Sequence, residues 1–278
     1  MRDHHEGQRV SRRTAVAGLS SIGLTGLLAA CTGGSPAATT AADAITPQTT
    51  TASDLTGLFS GAGTCTLTPV ATQGPYYFDA GKVRSDIRED RQGARLRMVI
   101  KLQESEQCTP LPNAVVEIWH CDAAGLYSGA EATSTGGDGG PPPGRGGEPP
   151  GGRSGEDGSA HMTPIDDKRY LRGAQVTNAD GIVEFTTIWP GWYRGRTVHV
   201  HAMVHVDNER VLTTQVMFDE ALNAEVFATE PYTARTGRET FNDGDSIFRE
   251  SMLLKITEEA DGYLGVIVFS ADADRDGA

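Results

Sequence analysis

Basic residues and cysteines are in short supply in this chain of 278 residues, and each shortage narrows what it can be. Lys and Arg number 24 against 37 Asp and Glu, a formal charge of −13. Such a deficit works against binding nucleic acid or an anionic membrane surface, because phosphate contacts rely on Lys and Arg. No basic aromatic patch offsets it. Long apolar runs are missing as well. The best is the uncharged stretch from Ala15 to Ala30, at about sixteen residues too short and too small-sided for a comfortable membrane span. Helix signals are few and short, the best lying around Glu220–Ala228.

What is present begins with an export signature. Arg12 and Arg13 precede the Ala15–Ala30 stretch, so residues 1–30 are expected to be a signal peptide. The paired arginines point to the twin-arginine route, although Ala15 stands where that signal usually carries a bulky apolar residue. Leu28-Ala29-Ala30-Cys31 resembles a lipoprotein cleavage box, with Cys31 as the lipidated first residue and the outer face of the membrane, or the medium, as destination. The alternative is an ordinary signal cut at a small-residue site. Without residues 1–30 the chain keeps 20 basic and 35 acidic residues, a charge of −15. A lipid at Cys31 would be its one membrane contact.

Residues 31–63, rich in Ala, Thr, Ser and Gly, are expected to form a flexible tether. Residues 129–159, dominated by Gly and Pro, are expected to be a disordered loop. The folded domain is then 64–270, with 271–278 as a tail. Three cysteines remain, Cys65, Cys108 and Cys121. An oxidising compartment favours one disulfide and one free thiol. Cys108 and Cys121 flank a candidate strand whose ends lie roughly 25 Å apart, so their bridge needs a bend. Cys65 with either partner is equally admissible.

The rest is strand-like. Arg95–Leu102 and Thr197–Val206 alternate along the chain, and Ala114–Trp119, Ile182–Ile188, Arg210–Phe218 and Gly262–Phe269 are short β-rich runs bounded by turn residues. Many short strands without alternating helices predict an all-β fold, an antiparallel β-sandwich with a few short helices and long loops.

Histidine is scarce beyond residue 30, at five: His120, His161, His199, His201 and His205. His199 and His201 are separated by one residue in a predicted strand, so period two puts both imidazoles on one face, where they can serve one metal. Alone, such a pair is more often exposed or hydrogen-bonded than metal-bound. His205 shares the face and is read as structural. Tyr193, six residues before His199, could be folded back onto that face by the Pro190-Gly191 turn, and Tyr127 just past a strand is a second candidate phenol. A single tyrosine is more commonly a rim or core residue.

Four segments together are more specific: Thr72-Gln-Gly-Pro-Tyr-Tyr, Val116-Glu-Ile-Trp-His-Cys-Asp-Ala-Ala-Gly-Leu-Tyr, Pro190-Gly-Trp-Tyr-Arg-Gly-Arg-Thr-Val-His-Val-His and Leu212-Thr-Thr-Gln-Val-Met-Phe. In this order they resemble the intradiol ring-cleavage dioxygenases, the family of catechol and protocatechuate dioxygenases. The resemblance implies one non-haem iron(III) per chain, held by Tyr127, Tyr193, His199 and His201. It makes Arg196 the match for the family's active-site arginine and Gln215 for its glutamine behind the ligands. It sets Gly74 and Pro75 near the substrate pocket. It implies a catechol and O2 as reactants, cleavage between the two hydroxyl-bearing carbons and a cis,cis-muconate-type diacid as product. Tyr193 is by that match the phenolate that leaves the metal and takes up a proton. The donor set suits the ion, since hard iron(III) favours anionic oxygen and accepts imidazole. A phenol of pKa near 10 loses its proton on coordination. Export, the tether and the long Gly/Pro loop depart from the better-known cytoplasmic members and leave substrate and self-association open. The readings set against this one are an exported β-sandwich lipoprotein that binds an aromatic ligand or metal without turnover, and a zinc hydrolase built on His-X-His. The second would want a third histidine or a carboxylate ligand.

Overall fold

The computed structural model describes residues 55–59, 65–134, 153–154 and 160–275. The expected signal peptide, Cys31 and most of the tether and Gly/Pro loop lie outside the described residues. Among those described, no helix is long and apolar enough to cross a membrane.

The described residues contain ten strands: β1 (Arg95–Glu104), β2 (Val115–Trp119), β3 (Arg153–Ser154), β4 (Ala160–His161), β5 (Arg172–Val176), β6 (Ile182–Ile188), β7 (His199–Val206), β8 (Glu209–Met217), β9 (Lys255–Glu259) and β10 (Gly262–Ala271). A one-turn helix α1 (Glu131–Ser134) follows β2, and α2 (Glu220–Phe227) follows β8. Asp219 caps α2 by accepting from the Ala221 and Leu222 amides. Two four-stranded sheets stack, ordered β6-β1-β10-β9 and β5-β2-β7-β8. The predicted sandwich is therefore present. One pair departs from the antiparallel expectation, because β1 and β10 run parallel in the middle of the first sheet. Each also has an antiparallel neighbour, β6 for β1 and β9 for β10.

Alternation explains the layers. Leu96, Met98, Ile100 and Leu102 of β1 face Val116, Ile118, Val200, Ala202 and Val204 of the other sheet, all fully buried. Each such side chain contributes about 1.5–3 kcal/mol through burial. On the outer side of the first sheet, Leu55 and Phe59 cover Val99, Leu264 and Val266. Residues 55–59, which fall within the expected tether, thus pack on the sheet, and the apolar residues of Leu55-Thr-Gly-Leu-Phe59 are the signal that composition averaging hid. The first residues of the expected Gly/Pro loop are placed as well. Residues 129–134 are folded, and Ser134 Oγ accepts from the Tyr127 amide at 2.9 Å. The domain also runs past 270, since Ala271 closes β10. Cys65 bonds Cys108, with Cα atoms 5.1 Å apart, and Cys121 is a buried free thiol. This is one of the two Cys65 pairings that the sequence left open.

Candidate metal centre

Strand β7 carries the pair as its period requires. Val200, Ala202 and Val204 point into the sandwich, while His199 and His201 point to the opposite face. The Asp207-Asn208 turn, with φ of +52° and +68°, has the backbone of the two-residue hairpin that returns the chain as β8. It sets Gln215 opposite His201. His205 lies beyond a register shift after Val204, only partly buried and outside the site.

The two histidines are nearly inaccessible and their Nε2 atoms are 3.2 Å apart. His199 Nδ1 donates to the Thr197 carbonyl at 2.7 Å, which fixes its tautomer and leaves the Nε2 lone pair facing inward. Trp119, paired with His201 across β2 and β7, stacks on that imidazole at 5.0 Å and 2°. Burial pushes both imidazoles well below their ordinary pKa, aided at His199 by Arg196 and at His201 by His199 and Arg196. Both are neutral, the form a metal binds.

The tyrosines come from turns. Asp122 accepts from the Ala124 and Leu126 amides and shapes the turn into Tyr127. The Gly191 amide donates to the Asp122 carbonyl at 3.1 Å, joining the two tyrosine-bearing loops. Tyr193 is folded back by the Tyr193–Arg196 turn, where Gly195 has φ +80°. The expected Pro190-Gly191 turn is not the one that does this, because Gly191 belongs to the junction between the loops. Tyr193 Oη lies 3.0 Å from His199 Nε2. The Tyr127 ring sits 5.8 Å from that of Tyr193 and 6.3 Å from that of His201. All four predicted ligands therefore converge.

Their electrostatics leave a question that a cation answers. Tyr127 is wholly buried, and its Oη makes no well-formed hydrogen bond, having only the Tyr193 hydroxyl close by. An orphaned buried hydroxyl costs about 1–3 kcal/mol. Burial first, then the neighbouring Tyr193, holds the Tyr127 phenol well above its ordinary pKa, and burial raises Tyr193 likewise. A hard trivalent cation would take the unpartnered oxygen, reverse both shifts and accept the two inward nitrogens. The residues fit iron(III).

Around the ligands, Arg196 donates from Nη2 to Gln215 Oε1, and Gln215 Nε2 donates to the Thr72 carbonyl at 3.0 Å. Gly74 has φ +71°, and a Cβ there would come 3.0 Å from His201 Cε1, so this glycine lets the backbone press on the His201 imidazole. Pro75 is half-buried beside Tyr76, whose ring stacks on Tyr127 at 4.7 Å. Two residues escaped the sequence reading. Arg172 is buried, holding the Ser128 and Tyr76 carbonyls. Asp245 accepts from Arg196 Nε at 2.8 Å. Both act across long sequence separations that leave no local pattern.

No family model matches the chain. An intradiol ring-cleavage dioxygenase from Tetranychus urticae is 30% identical and superposes with a TM-score of 0.64, the match covering 75% of this chain and 96% of that one. The chain belongs to the intradiol ring-cleavage dioxygenase family. Catechol 1,2-dioxygenase of Acinetobacter baylyi is 25% identical over 219 residues, 70% of this chain and 55% of that enzyme. Catechol 1,2-dioxygenase 1 of Acinetobacter lwoffii is 27% identical over 171 residues, 53% and 45% respectively. The chain spans about half the length of the curated relatives it matches.

Proposed function

We propose that the protein is an exported intradiol dioxygenase that opens a catechol-type ring between its two hydroxyl-bearing carbons with O2, giving a cis,cis-muconate-type diacid. The observation that carries this is the convergence of two phenols and two neutral imidazoles around the unpartnered Tyr127 oxygen. Tyr127, Tyr193, His199 and His201 would hold one iron(III). When bound, that ion withdraws electron density from a catecholate and readies its ring for oxygen.

The chain's own residues divide the remaining work. Tyr127 is fully enclosed and braced by Ser134, so it is the permanent oxygen donor. Tyr193 is only partly buried and sits on a turn, so it can swing away and take the proton of a substrate hydroxyl on Oη. The Arg196 guanidinium, held by Gln215, favours negative charge beside the ligands in a site where few waters compete. Tyr76 and Tyr193 flank Tyr127 with aromatic surface suited to a planar ring.

The Cys65–Cys108 disulfide favours an oxidising compartment and so supports export through the twin-arginine signal, with Cys31 as lipid anchor. The visible spectrum of the purified mature protein, before and after catechol under air, tests the whole reading. A phenolate-to-iron band that shifts with catechol, with diacid accumulating, is the expected result. A coloured protein that binds catechol without turnover would favour the binder. A colourless protein after iron reconstitution would remove the metal site and the activity together.

A further inference from the structure

We infer that Asp245 is a positioning residue of the metal centre, a single carboxylate that fixes both the Arg196 guanidinium and the backbone N–H of Thr197, the residue whose carbonyl orients His199. The inference rests on the iron–catechol reading above. Asp245 lies outside the four segments that carry the family resemblance, at the end of the short Asn242–Gly244 turn. Its side chain is 2% exposed. Oδ2 accepts from Arg196 Nε at 2.8 Å and from the Thr197 amide at 2.9 Å. Oδ1 accepts from the Ile247 amide at 2.9 Å, which pins the carboxylate itself.

Two consequences follow from one group. Arg196 is gripped from both sides, by Asp245 at Nε and by Gln215 at Nη2. The guanidinium is thereby held in one place, beside the residues that precede His199 in the chain and against Gln215, which pairs with His201 across the sheet. Asp245 also holds the Thr197 N–H, and the carbonyl on the other side of the same Cα accepts from His199 Nδ1 at 2.7 Å. Residues behind metal-bound histidines typically alter affinity or activity 10- to 100-fold when removed. Asn242, which accepts from Thr197 Oγ1 at 2.7 Å, braces the same turn without touching Arg196 and so serves as the structural control.

The test uses the full mature protein loaded with iron, with rates expressed per bound iron. Asp245→Asn keeps the shape but puts an N–H where one acceptor stood, and kcat is expected to fall about 10- to 100-fold. The phenolate-to-iron band should move, because the fixed cation beside the tyrosinates is displaced. Asn242→Ala should lower thermal stability and leave band and kcat unchanged. Arg196→Lys keeps the charge and loses the Nε contact, so it should slow turnover too, and the double variant should fall by less than the product of the two single effects. An Asp245→Asn protein with the wild-type band and rate overturns the inference, as do additive effects in the double variant. Should Asp245→Asn fail to fold, a wild-type rate in Arg196→Lys overturns it by itself. A wild-type protein without an iron band overturns the function, and this inference with it. A competent wild type beside an unaltered variant overturns the inference alone.

Discussion

Strand β7 turns two unlike faces to its surroundings. On one, Val200, Ala202 and Val204 meet the aliphatic side chains of β1 in the middle of the sandwich. On the other, His199 and His201 meet tyrosines and a stacked tryptophan that arrive from loops. Both faces are buried, so burial alone does not separate core from site. Satisfaction does. The core face holds no polar atom to pair, whereas the site face keeps the Tyr127 oxygen unpartnered and two inward nitrogens side by side. A protein retains such a defect where something binds to it.

Breaking the site face should have the largest effect. His199→Ala or His201→Ala removes one of four donors, and the folded protein is expected to lose its iron, measured by metal content after gel filtration. Full retention would discard the ligand assignment. The tyrosines sharpen the contrast further. Tyr193→Phe should keep iron and slow turnover, since Tyr127 and both histidines remain. Tyr127→Phe should weaken iron binding, yet in metal-free protein it removes an orphaned hydroxyl and should raise stability by on the order of 1 kcal/mol. Thermal unfolding of the metal-free pair reads this directly, and a loss of stability would mean the hydroxyl has a partner.

The core face should answer in the opposite sense. Val200→Ala deletes two buried methyl groups, and about 2 kcal/mol of stability should go with them. Iron content and band position should hold. A shifted band would mean that the two faces of β7 are mechanically coupled.

Local pattern and long-range contact were not equally legible in the sequence. The histidine pair, six of the eight strands that build the two sheets and helix α2 follow from period and turn residues within a dozen positions. The tyrosine ligands did not follow that way, because turns at 122–126 and 193–196 bring them in, and only the joint motif pointed to them. Strand β5 was missed because Arg172-Gly-Ala-Gln-Val looks polar, although Arg172 is buried on three carbonyl and hydroxyl oxygens. Strand β9 was missed because it is an exposed edge of Lys255-Ile-Thr-Glu-Glu. Asp245 meets Arg196 across 49 residues, a distance over which sequence carries no period.

The smallest effect expected concerns a third environment, next to the site but apart from its ligands. Glu117 of β2 is enclosed, accepts from Tyr77 Oη at 3.1 Å, and has Asp79 and Arg172 as its charged neighbours. Burial first, then Asp79, raises its pKa from about 4.5 to about 8. A folded pKa above the unfolded one stabilises the fold fully below the unfolded value, and that contribution is lost as pH rises through the folded value. Glu117 should therefore cost stability progressively from about pH 4.5 to about pH 8. His120 has the reverse sign, with burial lowering it from 6.5 to about 4, so its loss falls on the acid side. Unfolding midpoints of metal-free protein across pH 5–8 should decline less steeply in Glu117→Gln than in wild type. Equal slopes would place a charged, well-solvated carboxylate at Glu117 and would remove the distinction between this buried acid and the ligand face beside it.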